Sequence, residues 1–184
     1  YYQEQNVPAI ERDFPLGSMQ GNYTWSELNE RFDQLRNLYP DIISDRLIIG
    51  ESLEGHDIWA FKLSDNPDQD ENEPQVLYTG LTHAREPLSM MNLFYFIQNI
   101  CENYVAGNDS EATYLVNERE LWFIPVVNPD GYIYNELIAP DGGGMHRKNR
   151  RDTGCGSGTE QGVDINRNYG FNWGANDAGS SPDP

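Results

Sequence analysis

Positive charge is what this sequence has least of. Twelve Lys and Arg stand against 30 Asp and Glu, a net charge of −18 over 184 residues. Such a surface repels nucleic acid and anionic membranes, so neither is an expected partner. No apolar run is long enough for a membrane-crossing helix, and no signal peptide is visible. Internal repeats and low-complexity linkers are also missing, which leaves one ordinary domain for a chain of this length. Cysteine is limited to Cys101 and Cys155. Cys101 lies in an apolar segment and reads as a buried free thiol. Cys155 lies in a Gly-rich loop and is not expected to pair with it, and a lone loop cysteine suggests a partner elsewhere. Histidine is limited to His56, His83 and His146.

The most informative stretch is Gln75 to Glu86 (QVLYTGLTHARE). Val76, Leu77 and Tyr78 form an apolar, β-branched and aromatic run that reads as a short buried strand. It breaks at Gly80 and delivers His83 and Glu86 just past its end. Pro87 follows, a residue favoured at the start of a helix, and Leu88 to Tyr104 is apolar nearly all round, as in a buried helix. An imidazole and a carboxylate three residues apart therefore sit in a strand-to-helix turn, where α/β sheets place their chemistry. The pair suits zinc, whose catalytic sites commonly use two His, one Glu and an open water position. The plain alternative is a loop histidine followed by a glutamate that favours the positive end of a helix dipole.

The first residues, 1–12, have no periodicity and read as a tail or pro-segment remnant, and the domain proper spans 13–184. Thr24 with Glu27 makes a capping box. Trp25, Leu28, Phe32 and Leu35 recur at helical spacing until Pro40. Strands are expected at about Arg46–Glu51 and Asp57–Leu63, joined by a turn at Gly55. An acidic loop, Ser64 to Pro74, precedes the central strand. Glu120 to Val127 reads as another buried strand, ending in the turn signal Asn128-Pro129-Asp130-Gly131. Residues 133–161 read as loop, and Gly162 to Tyr169 as a short strand ending in polar groups. Strands alternating with helices predict an α/β domain with a mixed, mostly parallel sheet flanked by helices.

Cations are few, yet five of the six residues from His146 to Arg151 can carry positive charge. The cluster reads as an anion site or an ion-pair knot. Arg167, between Asn166 and Asn168, offers a planar fork plus amides, a combination fit for bidentate capture of a carboxylate. Structural pairing to some of the 30 acids is the competing reading.

In their order and spacing these stretches resemble the zinc metallocarboxypeptidases of the carboxypeptidase A type, and more closely the bacterial carboxypeptidase T branch. The resemblance rests on Asp13-Phe14-Pro15, Ser64-Asp65-Asn66 with Asp70 to Pro74, Val76 to Thr79, His83 to Glu86, Asn128 to Gly131, Arg147 to Arg150, and Gly162 to Tyr169. It implies part of the zinc carboxypeptidase fold and hydrolysis of the C-terminal peptide bond of peptides and proteins. His83 and Glu86 match two zinc ligands. Arg147 matches the arginine that polarises the scissile carbonyl and holds the oxyanion. Asn166 and Arg167 match the pair that grips the substrate's terminal carboxylate, and Arg85 an arginine that touches the substrate further from the cleaved bond. Asp164 matches a carboxylate that orients the first zinc histidine. The acidic loop resembles a calcium-binding loop of the carboxypeptidase T branch, with Ser64, Asp65, Glu71, Glu73 and Glu120 as oxygen ligands, and a plain solvated loop is the alternative.

The family's third zinc ligand, general base and specificity pocket have no match before Pro184. His56 and His146 do not match the missing histidine. The cysteine matching Cys155 pairs, in the family, with one just beyond a loop like Ser180 to Pro184. The chain therefore looks like the N-terminal half of a secreted, extracellular enzyme, inactive without the remaining half of its own domain. A non-catalytic carboxylate- or calcium-binding extracellular module is the alternative function.

Overall fold

A computed structural model describes residues 13–154, 156–171 and 173. The expectations for the 1–12 tail and for the pairing of Cys155 lie outside those residues. Helix α1 (Trp25–Leu38) begins where the sequence demands. The Thr24 side chain accepts a hydrogen bond from the Glu27 N–H, and the Glu27 carboxylate accepts one from the Thr24 N–H. Its buried stripe is Leu28, Phe32 and Leu35. Replacing a capping Thr typically costs about 1 kcal/mol. Thr24→Ala is therefore expected to lower the unfolding free energy by about that much in urea, with an unchanged denaturant slope.

Strands β1 (Leu47–Glu51) and β2 (Asp57–Leu63) form the expected hairpin. Strand β3 (Gln75–Thr79) leads to helix α2 (Leu88–Ala106), followed by α3 (Ser110–Glu118), strand β4 (Glu120–Ile124) and α4 (Pro129–Ile138). Sheet order is β1-β2-β4-β3. The sheet is mixed, as expected, but among the described residues it is not mostly parallel: β1 and β2 pair antiparallel, β2 and β4 antiparallel, and only β3 and β4 parallel. The β3–β4 crossover runs through α2 and α3, as a parallel pair requires.

One face of the sheet carries the core. Phe61, Phe123 and Tyr78 are register neighbours on β2, β4 and β3, and their rings stack at 5.3 Å centroid spacing. From α1, Phe32 packs on Phe61 at 4.8 Å, and from α2, Phe96 packs on Tyr78 at 5.4 Å. Offset ring pairs of this kind add to the burial of their large apolar surfaces. The thiol of Cys101 is buried and free, and burial pushes it well above its ordinary range. No helix among the described residues is long and apolar enough to cross a membrane.

Three further expectations are corrected. Val76 and Leu77 are exposed, Leu77 at 60%. They lie on the edge strand of the described sheet, and Leu77 sits on the face opposite the aromatic stack. Residues Asn128 to Gly131 start helix α4 rather than close a turn, and that helix also takes up residues 133–138 of the expected loop: Asn128 is the N-cap, accepting from the Gly131 N–H at 3.1 Å, and Pro129 takes the first helical position. The segment 162–169 is not a strand. Asp164 caps a 3-10 turn over Ile165–Arg167 instead.

Candidate metal and carboxylate-binding site

The strand-to-helix turn is shaped by its backbone. Leu81, buried at 1%, adopts φ of 48°, a left-handed conformation that costs a non-glycine residue roughly 1–2 kcal/mol. Its N–H is satisfied by Ser89 Oγ at 2.9 Å and its carbonyl by the Asn128 N–H at 3.1 Å. The kink redirects the chain off the sheet and turns His83 toward the start of α2. Glu86 N–H donates to the His83 carbonyl at 3.1 Å, closing the turn.

The side chains converge. His83 Nδ1 lies 3.0 Å from both Oε1 and Oε2 of Glu86. On the other side of the ring, Nε2 lies 3.4 Å from Asp164 Oδ1 and has no hydrogen-bond partner of proper geometry, although it is buried. Arg147 completes the cluster. Its Nε donates to Asp164 Oδ2 at 2.9 Å and its Nη1 donates to Glu86 Oε1 at 3.4 Å. Partial burial raises the Asp164 carboxyl, but the Arg147 bond and charge, His83 and the Asn166 N–H more than reverse this, so it stays below the usual carboxylate range. Asp164 is thus an anion facing an imidazole at neutral pH. With an ion held at Nδ1, the proton of the imidazole would sit on Nε2, facing Asp164.

These donors fit a zinc ion. Two ligand atoms held tetrahedrally at Zn–N and Zn–O distances near 2.1 Å would stand about 3.4 Å apart. The observed 3.0 Å differs by a small rotation of the exposed Glu86. Of the expected site residues, His83, Glu86, Arg147 and Asp164 meet here. Asn166 and Arg167 join through Asp164, which accepts from the Asn166 N–H at 3.0 Å through its carboxylate and from the Arg167 N–H at 3.0 Å through its carbonyl. Both residues are exposed, as is Arg85.

Elsewhere in the basic knot, Arg150 and His146 make structural contacts. Arg150 lies over the Tyr134 ring at 3.7 Å and donates to the Gly158 carbonyl at 2.9 Å. His146 is fully buried between the carbonyls of Thr159 and Asn149. Burial, aided by the Arg150 charge, lowers its pKa despite those carbonyls. His56 is bonded to Asp130 at 2.9 Å, beside Glu54, in a separate cluster. Neither histidine joins His83. Sequence reasoning gave Asn128 only as a turn residue, yet its Nδ2 donates to the Lys148 carbonyl at 2.9 Å beside Arg147. Asparagine before proline marks turns and helix starts alike, so nothing in the sequence separated the two.

In the acidic loop, carboxylate oxygens of Asp65, Glu71 and Glu73 lie within 4.8 Å of one another. Glu71 Oε2 and Glu73 Oε2 are buried without a partner. Partial burial, then the charges of Glu71 and Asp65, pushes Glu73 above its usual range. Ser64 and Glu120 are engaged differently: Ser64 Oγ accepts from the Asn66 N–H at 3.2 Å, and Glu120 is bound by Lys62 at 2.7 Å.

Comparison with known proteins gives the same reading. The family model described as zinc carboxypeptidase matches residues 28–184. A zinc carboxypeptidase from Saccharothrix mutabilis subsp. capreolus is 39% identical over 164 residues, 89% of this chain and 35% of that protein. An inactive metallocarboxypeptidase from Uncinocarpus reesii is 32% identical over 141 residues, 73% of this chain and 22% of that protein. The crystal structure of a carboxypeptidase A from Helicoverpa armigera superposes with a TM-score of 0.69 at 27% identity, over 90% of this chain and 38% of that one. The chain spans between about a fifth and two fifths of the length of these relatives. Sequence, fold and converging donors agree, and the chain belongs to the zinc carboxypeptidase family.

Proposed function

We propose that this chain supplies part of the metal centre and the carboxylate grip of a secreted zinc carboxypeptidase that removes C-terminal residues from peptides and proteins. The observation that carries the reading is the convergence of His83 Nδ1 and both Glu86 oxygens at 3.0 Å, bracketed by Asp164 and Arg147. His83 and Glu86 would hold the ion. Zinc, when bound, polarises a carbonyl and lowers the pKa of a water. Asp164 would accept from Nε2–H and orient the imidazole once Nδ1 holds the ion. Arg147 offers fixed positive charge where an oxyanion develops, already aligned by Asp164 and so needing little reorganisation. Arg167 with Asn166 selects a free C-terminal carboxylate, and Arg85 contacts the peptide further from the cleaved bond.

The third zinc ligand and the general base belong, in this reading, to the remaining half of the domain. The 184-residue chain is therefore expected to bind zinc and to be inactive or nearly so. The inactive relative supports keeping a second reading, a binding module without turnover. Zinc titration with and without His83→Ala tests the assignment. Even partners outside the metal's own ligands change affinity by roughly 10–100-fold, so loss of the ligand itself is expected to weaken binding by more than about a hundredfold. Unchanged zinc affinity in His83→Ala would remove the metal from this site, and peptide hydrolysis by the chain alone at ordinary rates would remove the need for the other half.

A structural calcium ion in the acidic loop is supported by the two orphaned carboxylate oxygens of Glu71 and Glu73 with Asp65 beside them. Calcium prefers several hard oxygens, and Ser64 and Glu120 stand next to the trio. Calcium is expected to raise the melting temperature of the chain and not that of Glu73→Gln. An equal rise in both would place the ion elsewhere.

A further inference from the structure

The two segments that build the site, the His83 turn and the His146–Lys148 stretch, come from distant parts of the chain. They meet on α4, at one side chain that the resemblance does not assign. Asn135 is 2% exposed. Its Nδ2 donates to the Ala84 carbonyl at 3.0 Å and to the His146 carbonyl at 2.8 Å, and its Oδ1 accepts from the His146 N–H at 2.8 Å. One carboxamide thus spends both hydrogens and a lone pair on the residues directly adjacent to His83 and Arg147. A direct rung runs parallel to it, from the Ala84 N–H to the Arg147 carbonyl at 3.1 Å. Room for the arrangement is made by Gly144, where a Cβ would lie 2.6 Å from Asn135 Cβ and Oδ1.

We propose that Asn135 is a positioning residue that fixes the distance between the metal-ligand turn and the oxyanion arginine. The chemistry requires an amide. Aspartate has the same shape but no donor when ionised, and would set a charged oxygen against two carbonyls. Serine or threonine has one hydrogen for two carbonyls. An unmade bond at so buried a place is costly, so the segments would part rather than remain with unpaired carbonyls. The distance from Glu86 to Arg147 would then widen, because both ride on the backbone that Asn135 holds.

The proposal rests on reading His83 and Glu86 as metal ligands, and its test separates the two. Amide hydrogen exchange and zinc titration are measured on the chain and on Asn135→Asp, with Asn135→Ser used if the first does not fold. A control of similar stability loss away from the site, Leu35→Ala, is measured in parallel. Exchange of the Ala84 amide, which Asn135 does not itself bond, is expected to accelerate at least tenfold in the Asn135 variant beyond that in the control. Zinc affinity of the folded protein is expected to fall roughly 10–100-fold in the variant and to stay unchanged in the control. Ala84 protection equal to that of the control overturns the positioning role whatever zinc does. Preserved protection loss with unchanged zinc affinity overturns the link to the metal turn. A wild-type chain that takes up no zinc at His83 overturns the metal reading itself, and exchange alone then decides the clamp.

Discussion

Lys62→Met is expected to cost about 3–5 kcal/mol of folding free energy, the range for breaking a buried ion pair by removing one partner. Lys62 and Glu120 are 2% and 0% exposed and stand 2.7 Å apart. They lie on adjacent strands at the end of the sheet that meets the acidic loop. Lys62 Nζ also donates to the Gln69 carbonyl, while Glu120 accepts from the Glu71 N–H at 3.0 Å and Gln75 Nε2 at 2.6 Å. Methionine fills the lysine's volume, so the loss would come from an anion left without its counter-charge and not from a cavity.

Acid should reveal the cause. In the wild type, burial raises the Glu120 carboxyl, but the Lys62, Glu71 and Gln75 bonds and the Lys62 charge outweigh it and the pKa is lowered. Its contribution is therefore full above the ordinary glutamate value of 4.5 and is lost as pH falls through the lower folded value. Without Lys62, its bond and its charge no longer lower the carboxyl while burial still raises it, so protonation costs the variant less. The stability gap between the two proteins, read by urea denaturation, should narrow as pH falls. Lys62→Met/Glu120→Gln should recover most of the loss at neutral pH. A double variant as unstable as the single one would show that the charge is not the cause.

Gly162→Ala is expected to cost about 2–5 kcal/mol, summing a left-handed backbone penalty of roughly 1–2 with overpacking of roughly 1–3. Gly162 has φ of 108°, and a Cβ there would lie 1.8 Å from the Asn149 carbonyl oxygen. Relief by movement is blocked, because Val163 and Asn149 are joined by bonds of 3.0 and 2.8 Å. The strain would be transmitted to Asp164, two residues on, and so to His83 and Arg147. Zinc affinity should therefore fall together with stability. A Gly162→Ala protein within about 0.5 kcal/mol of the wild type would contradict the backbone geometry of this segment.

Much of the fold was legible. Helix α1 shows its capping box, its apolar stripe and its Pro40 stop, and the hairpin shows two β-rich runs around Gly55. Helix α3 was not legible because only Ala112 and Val116 of its nine residues are buried, too few to print a helical period. At α4 the Asn-Pro-Asp-Gly run carries turn chemistry, and only the tertiary position of Asn128 decides for a helix. Val163 and Ile165 alternate as in a strand, but Asp164 between them caps a turn instead. The exposure of Val76 and Leu77 depends on which strands and helices lie beside β3, which composition does not record.

The site divides in the same way. The spacing of His83 and Glu86 shows in the sequence, since three residues across a strand-to-helix turn can bring two donors together. The convergence of Asp164, 81 positions beyond His83, on the far side of the imidazole was implied only by resemblance. The clamp at Asn135 left no mark at all, because an asparagine late in a helix is ordinary until its three partners are known. Glu120 illustrates the converse: an acidic residue next to an acidic loop invites a cation reading, and the buried lysine beside it is visible only in the folded chain.

The most direct measurement is zinc-edge anomalous diffraction from crystals of the zinc-loaded chain. The expected result is a peak about 2.1 Å from His83 Nδ1 and within reach of Glu86, with Asp164 against the opposite ring nitrogen. A peak confined to the Glu54, His56 and Asp130 cluster or to the acidic loop, with none beside His83, would contradict it.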